Sequence, residues 1–173
     1  MNDAATNANP LFDLSSLNLT DLTETFFADQ QAANSDGEKF VVFFLDETLF
    51  AIPARSVSEV IRPLAPTPLP NAPAWLRGIA NLRGEIVSIV DLYEFCRKRA
   101  APVSPKSKFV VLRPRHYQAA VAFPIDRLSE IITLARNEIE PVNWSFVNGK
   151  AAYQSKPVYL LDTDRIFSSL LIG

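Results

Sequence analysis

From Lys39 onward the chain alternates short apolar runs with polar breaks at a spacing that suits strands better than helices. Phe40 to Leu45 is a run of aromatic, β-branched and leucine side chains closed by Asp46-Glu47, and Leu49 to Pro53 returns as its hairpin partner. Ser56 to Arg62 predicts a further strand. Prolines at 63, 66, 68, 70 and 73 then keep the chain extended, because proline fixes φ and lacks a donor. Ala74 to Arg77 predicts a short helical turn, and Ile79 to Val90 two strands around Arg83-Gly84. Asp91 is placed to cap a short helix through Lys98. Lys108 to Leu112 and Ala119 to Phe123 predict a second hairpin, Arg127 to Leu134 and Pro157 to Leu161 two more strands, and Asp162 the cap of a terminal helix to Leu171.

Shifted by 71 residues without a gap, the chain matches itself at ten of fifty positions from 49 to 98. The identical pairs include Pro53/Pro124, Glu59/Glu130, Gly78/Gly149, Val87/Val158 and Asp91/Asp162, with apolar character kept at Trp75/Phe146 and Leu76/Val147. Strand-rich halves at this spacing predict two similar small five-stranded barrels, each closing its own sheet edges and sharing a core, since either half alone is marginal. Asn81-Leu82-Arg83-Gly84 maps onto Ala152-Tyr153-Gln154-Ser155, so the second half does without that tetrapeptide. A residue needed only to close a barrel is expected to recur at the matching place.

Composition adds a division of charge. With 173 residues, 48% of them apolar, the chain can bury a core, and its net charge of -2 does not mark the whole as a binder of nucleic acid or membrane. Residues 1–38 hold seven acids and no base, leaving +5 on residues 39–173. The first 38 therefore read as an acidic, flexible extension, and residues 39–173 as the folded domain. Within the extension, Asp21 and Glu24 stand at capping-box spacing, and Leu22, Phe26 and Phe27 would line one face of a short docking helix.

Catalytic parts are scarce. One histidine (His116), one cysteine (Cys96) and five glycines leave too little for metal cages, nucleophile–base pairs or glycine-rich phosphate loops, so neither enzyme activity nor a cofactor nor a metal is expected. Asp91 and Asp162 resemble an acid–base pair only until the repeat makes both helix caps. A lone cysteine forms no intramolecular disulfide, and neither a leader-like N-terminus nor an apolar run near the ~20 residues of a membrane span is present, so a cytoplasmic protein without direct membrane insertion is expected. Arg97 to Arg115 carries seven bases and no acid, with His116 and Tyr117 as stacking groups. A nucleic-acid-binding module is the alternative reading of that stretch, against a plain solvated loop.

Arg83, beside Gly84 in a tight turn, can present a planar five-donor fork for bidentate capture of a carboxylate. In the competing reading it only satisfies Glu59. Substitution of Gln at 154, where Glu130 is kept, is taken as an argument against the purely internal role. Trp75, Leu76 and Ile79 with the nearby prolines offer either an interaction surface of apolar centre and arginine rim or ordinary core packing.

Leu76 to Leu92, with Gly78, then Asn81-Leu82-Arg83-Gly84, then an apolar strand ending in Asp91-Leu92, resembles the signature of the CheW-like chemotaxis coupling proteins. The resemblance extends over about residues 39–172; it departs in the acidic extension, at Ser88, which stands where proline is common, and after Asn137. It implies a mostly-β fold of two SH3-like five-stranded barrels on a shared core, with short helices and a C-terminal helix. The implied function is that of a non-enzymatic adaptor joining the cytoplasmic tip of a chemoreceptor to the regulatory domain of a CheA-type histidine kinase, in flagellar chemotaxis or a type IV pilus pathway. Carried over by motif, Asn81, Leu82, Arg83 and Gly84 would lie at the receptor-side contact, with Glu59 as the partner of Arg83. Exposed apolar positions on one barrel would serve the kinase.

Overall fold

The apolar run after Lys39 forms β1 (Glu38–Leu45), which reverses at Asp46-Glu47 into β2 (Thr48–Pro53). A 3-10 turn leads to β3 (Val57–Ile61), and the proline-rich stretch to β4 (Leu76–Leu82) and β5 (Glu85–Val90), followed by α1 (Leu92–Arg97). Then come β6 (Lys108–Leu112), β7 (Ala120–Ile125), β8 (Arg127–Leu134), β9 (Val147–Tyr153), β10 (Lys156–Leu161) and α2 (Thr163–Ile172). This computed structural model describes residues 37–97, 107–113 and 120–172, all within the compact unit Asn34–Gly173. Nearly all of the acidic extension lies outside the described residues, as do Lys98, Arg99, Lys106, Arg115, His116 and Tyr117 and the side chains of Cys96 and Arg97. Among the described residues no helix is long and apolar enough to cross a membrane.

The strands form two five-stranded sheets, ordered β8-β1-β2-β10-β9 and β3-β6-β7-β5-β4, the mostly-β architecture of two SH3-like units expected above. Under the 71-residue shift β1 to β5 become β6 to β10, and one order turns into the other position by position. Each sheet therefore takes its central hairpin from one repeat and its remaining three strands from the other. Each central hairpin is joined on one side by an antiparallel pair, β1 with β8 and β6 with β3, and on the other by a parallel one: Leu49, Phe50 and Ala51 of β2 beside Val158, Tyr159 and Leu160 of β10, and Val87, Ser88 and Ile89 of β5 beside Ala120, Val121 and Ala122 of β7. Repeat and sheet do not coincide; the halves are exchanged.

Alternation along the strands divides the core in three. Phe40, Val42, Leu49, Ala51, Ala151, Val158 and Leu160 fill the interior of the first sheet, and Leu82, Val87, Ile89, Phe109, Val111, Ala120 and Ala122 that of the second. Because side chains of a strand alternate faces, Phe43 and Phe50 of the first sheet and Phe123 of the second point the other way. There Phe43 meets Phe123 at 5.7 Å between ring centroids and Phe50 at 6.3 Å. Burial on both faces explains why β1, β2, β6 and β7 read as unbroken apolar runs.

Two local expectations differ from the structure. Only Ala74-Trp75 turn; Leu76 and Arg77 already belong to β4, where Leu76 pairs with Val90. The strand Val147–Tyr153 is absent from the pattern-based reading, since Asn148, Gly149 and Lys150 break its apolar signal, although the repeat aligns it with β4. Outside both of these edge strands the preceding segment adds one bridge, Thr67 to Ile79 and Glu140 to Lys150, which shields the edge.

Candidate functional site

Leu82 and Glu85 close the β4–β5 hairpin as a register pair, so two residues, Arg83 and Gly84, must make the turn. Both have positive φ, 53° and 91°, the backbone of a type I′ turn whose twist suits the strands it joins. The Gly84 N–H donates to Asn81 Oδ1 at 3.0 Å, which holds the turn from the strand side. Leu82 points inward and is buried with Val87 and Ile89. Arg83 Nη2 lies 3.0 Å from Glu59 Oε2 on β3, with the arginine side chain 77% exposed and the glutamate 12%. All five residues singled out by sequence thus meet at one end of the second sheet. Leu82 anchors, Asn81 ties the turn, Glu59 steadies the guanidinium, and the rest of the fork faces solvent.

At the equivalent place on the first sheet, Gln154 and Ser155 make the β9–β10 turn with φ of 47° and 63°. Glu130 on β8 accepts hydrogen bonds from the Tyr153 hydroxyl and from Gln154 Nε2, the latter at 3.3 Å. Both repeats therefore tie an edge strand to the next hairpin through a glutamate. The argument that Gln154 speaks against an internal role for Arg83 does not hold, because the glutamine and Tyr153 make the same link with other atoms. Arg83 combines that link with an exposed cation. As an open ion pair the link stabilises by only about 0.2–1 kcal/mol.

Asp91 accepts from the Glu94 N–H at 3.0 Å and from Arg77 Nε at 3.1 Å, while Asp162 accepts from the Arg165 N–H at 3.0 Å and pairs with Arg165 Nε at 3.2 Å. Both act as helix caps, as their shared repeat position implies. Sequence reading had no signal for Arg77 as the partner of Asp91. Trp75 packs edge-on against Phe95 at 5.4 Å, and Phe146, its repeat equivalent, contacts the same ring at 4.6 Å, so the tryptophan serves packing. Of the basic stretch, Lys108 is half-buried on β6 and Arg113 is paired with Glu85 at 2.5 Å. Among the described residues no group of three or more histidine, cysteine, aspartate or glutamate side chains could hold a metal ion.

The family model for the CheW-like domain matches residues 39–171. The chemotaxis protein CheW of Rhizobium meliloti (strain 1021) is 27% identical over 140 residues, covering 77% of this chain and 89% of that protein. The chemotaxis protein CheW of Helicobacter pylori (strain ATCC 700392 / 26695) is 28% identical over 119 residues, covering 69% and 71%. Among solved structures, the scaffolding protein TtCheW from Thermoanaerobacter tengcongensis superposes with a TM-score of 0.67 at 26% identity, covering 77% of this chain and 89% of that one.

Proposed function

The chain belongs to the CheW-like domain family, and from that premise we propose that it couples chemoreceptor cytoplasmic tips to the regulatory domain of a CheA-type histidine kinase. As a family member it is a chemotaxis adaptor of the non-catalytic, scaffolding kind, so its work is binding. In this reading it acts in the cytoplasm, in a flagellar or type IV pilus motility pathway. Asn81, Leu82, Arg83 and Gly84, braced by Glu59, form the receptor-side contact, and the kinase takes an apolar surface elsewhere. Two moderate contacts suffice, because linking them in an array raises the effective concentration of each partner.

The observation that carries this reading is the turn: an arginine 77% exposed, held in a left-handed backbone by Gly84 and Asn81 and steadied by Glu59, within the stretch that matches the family. The left-handed backbone itself belongs to the hairpin, since Gln154 and Ser155 share it; what sets Arg83 apart is the exposed guanidinium. Sedimentation of mixtures of the chain with a cognate receptor cytoplasmic fragment and kinase tests the proposal. A ternary species that Arg83→Glu weakens while leaving the fold intact is the expected outcome. No complex with either partner, or one that Arg83→Glu leaves unchanged, would overturn it.

A further inference from the structure

The edge strands β4 and β9 are each entered through a four-residue turn at the same place in the repeat. Pro73–Leu76 closes with the Leu76 N–H donating to the Pro73 carbonyl at 2.9 Å, and Trp144–Val147 with the Val147 N–H donating to the Trp144 carbonyl at 3.2 Å. In both, the carbonyl of the third residue accepts from the aspartate that caps the next helix: Trp75 from the Asp91 N–H at 2.7 Å, Phe146 from the Asp162 N–H at 2.9 Å. Inside this shared frame the backbones differ. Neither Ala74 nor Trp75 has a positive φ, which makes the first turn type I; Phe146 has φ 66° while Ser145 before it does not, which makes the second type II. Type II sets the Cβ of its third residue against the preceding carbonyl, so glycine or asparagine is usual there and a bulky side chain is an outlier. The turn alone therefore favours type I at both places. What the second adds is a ring contact: Phe146 lies on Phe95 of α1 at 4.6 Å, tilted by 43°. Phe95 belongs to the other repeat, where it also takes Trp75 edge-on at 5.4 Å, and its own counterpart on α2 is Ile166. Trp75 stays with the helix of its own repeat, and Phe146 reaches across to the same helix.

We infer that the peptide between Ser145 and Phe146 is a two-state element of the fold, held turned over by the ring of Phe95. Types I and II differ by rotation of that one central peptide, with the ends of the turn left in place. Rotating it tilts the Cα–Cβ bond of Phe146, and the state seen is the one that seats the ring on α1. Drawing α1 back removes the contact that offsets the left-handed backbone, and the turn then relaxes to the form its repeat mate already has. The position of α1 and the entry to β9 are thereby linked in both directions, since whatever favours one state of either favours the matching state of the other. The Phe146 carbonyl lies outside the rotating peptide, so the hydrogen bond from Asp162 holds in both states. Phe95, Trp75 and Phe146 are all half-buried, which leaves the rings room to part without opening the core. The link is independent of which proteins the chain joins.

The test is nuclear magnetic resonance on the isotope-labelled full-length chain, reading the Overhauser cross-peak between the amide proton and Hα of residue 146. A left-handed backbone brings those two protons close and makes the cross-peak strong; a negative φ makes it weak. Expected is a strong cross-peak in the native chain, its loss in Phe95→Ala and in Phe95→Leu, and its retention in Trp75→Phe, which keeps a ring on the other side of Phe95. A weak cross-peak in the native chain would overturn type II as the resting state. A strong one that persists without the Phe95 ring would overturn the hold by α1, and loss in Trp75→Phe as well would overturn the assignment to the Phe95–Phe146 contact. If Phe95→Ala fails to fold, Phe95→Leu, which keeps most of the apolar volume, decides alone.

Discussion

Gly78 and Gly84 flank the same tetrapeptide and are glycines for different reasons. A Cβ on Gly78, at φ +135°, would lie 2.2 Å from the Thr67 carbonyl oxygen, because the bridge from Thr67 runs directly over it. Gly84, at φ +91°, has nothing within 4 Å of where its Cβ would be. Alanine at 78 must therefore displace backbone as well as strain it, and Gly78→Ala is expected to cost about 3 kcal/mol, against about 1 kcal/mol for Gly84→Ala, in urea unfolding. Equal costs would mean that the close approach is not what keeps Gly78. At Arg83 the repeat suggests the discriminating substitution. Gln154 shows that a glutamine in this turn can reach a glutamate, so Arg83→Gln is expected to keep native stability within about 0.5 kcal/mol while losing receptor binding as Arg83→Glu does. Retained binding in Arg83→Gln would shift the weight from charge to shape. The residues of this site were legible in the sequence as a motif, whereas the internal half of their job was not. Identity was the wrong measure of recurrence, since Tyr153 and Gln154 do together what one guanidinium does at the other site.

Among the elements, the two helices are started by the same residue in unequal surroundings. Asp91 caps α1 and receives Arg77 while its side chain is only 3% exposed; Asp162 caps α2 and meets Arg165 with 15% exposed, its arginine 69% exposed. Losing a cap costs about 1 kcal/mol, and losing the carboxylate of a largely buried ion pair costs more on top. Asp91→Ala is thus expected to destabilise by about 2–3 kcal/mol and Asp162→Ala by about 1 kcal/mol, read from denaturant midpoints. A reversed order would remove Arg77 from the explanation. The caps were legible because capping chemistry is local to one turn. Strand β9 was not, because Val147, Asn148, Gly149 and Lys150 offer no period-2 pattern, and what makes them a strand is the neighbouring β10, against which Val158 pairs with Ala151. Aligning the repeat element by element would have found it, since β4 lands on it residue for residue.

At the scale of the molecule, exchange of the central hairpins makes folding a joint event. β1 and β2 have no sheet to join until β8 and β10 of the other repeat are present, and β6 and β7 depend in the same way on β3 and β5. None of this was legible locally: apolar alternation says which face of a strand is buried, and a repeat says that two segments are alike, but neither says which strand lies alongside. Whether the two sheets, joined through the Phe43–Phe123 contact, also unfold together can be measured with the two tryptophans, since Trp144 covers the outer face of the first sheet and Trp75 leads into β4 of the second. In Trp75→Phe the remaining fluorescence reports the first sheet, in Trp144→Phe the second, and under urea each is expected to show one transition that coincides with loss of secondary structure in the same variant. Phe43→Ala, placed in both backgrounds, removes the ring that bridges the sheets at Phe123 and is expected to cost about 3–5 kcal/mol by either reporter. A cost seen by the Trp144 reporter but not by Trp75 would mean that the second sheet survives without the first. The core shared between the sheets argues against that, because Phe123 of the second sheet packs on Phe43 of the first.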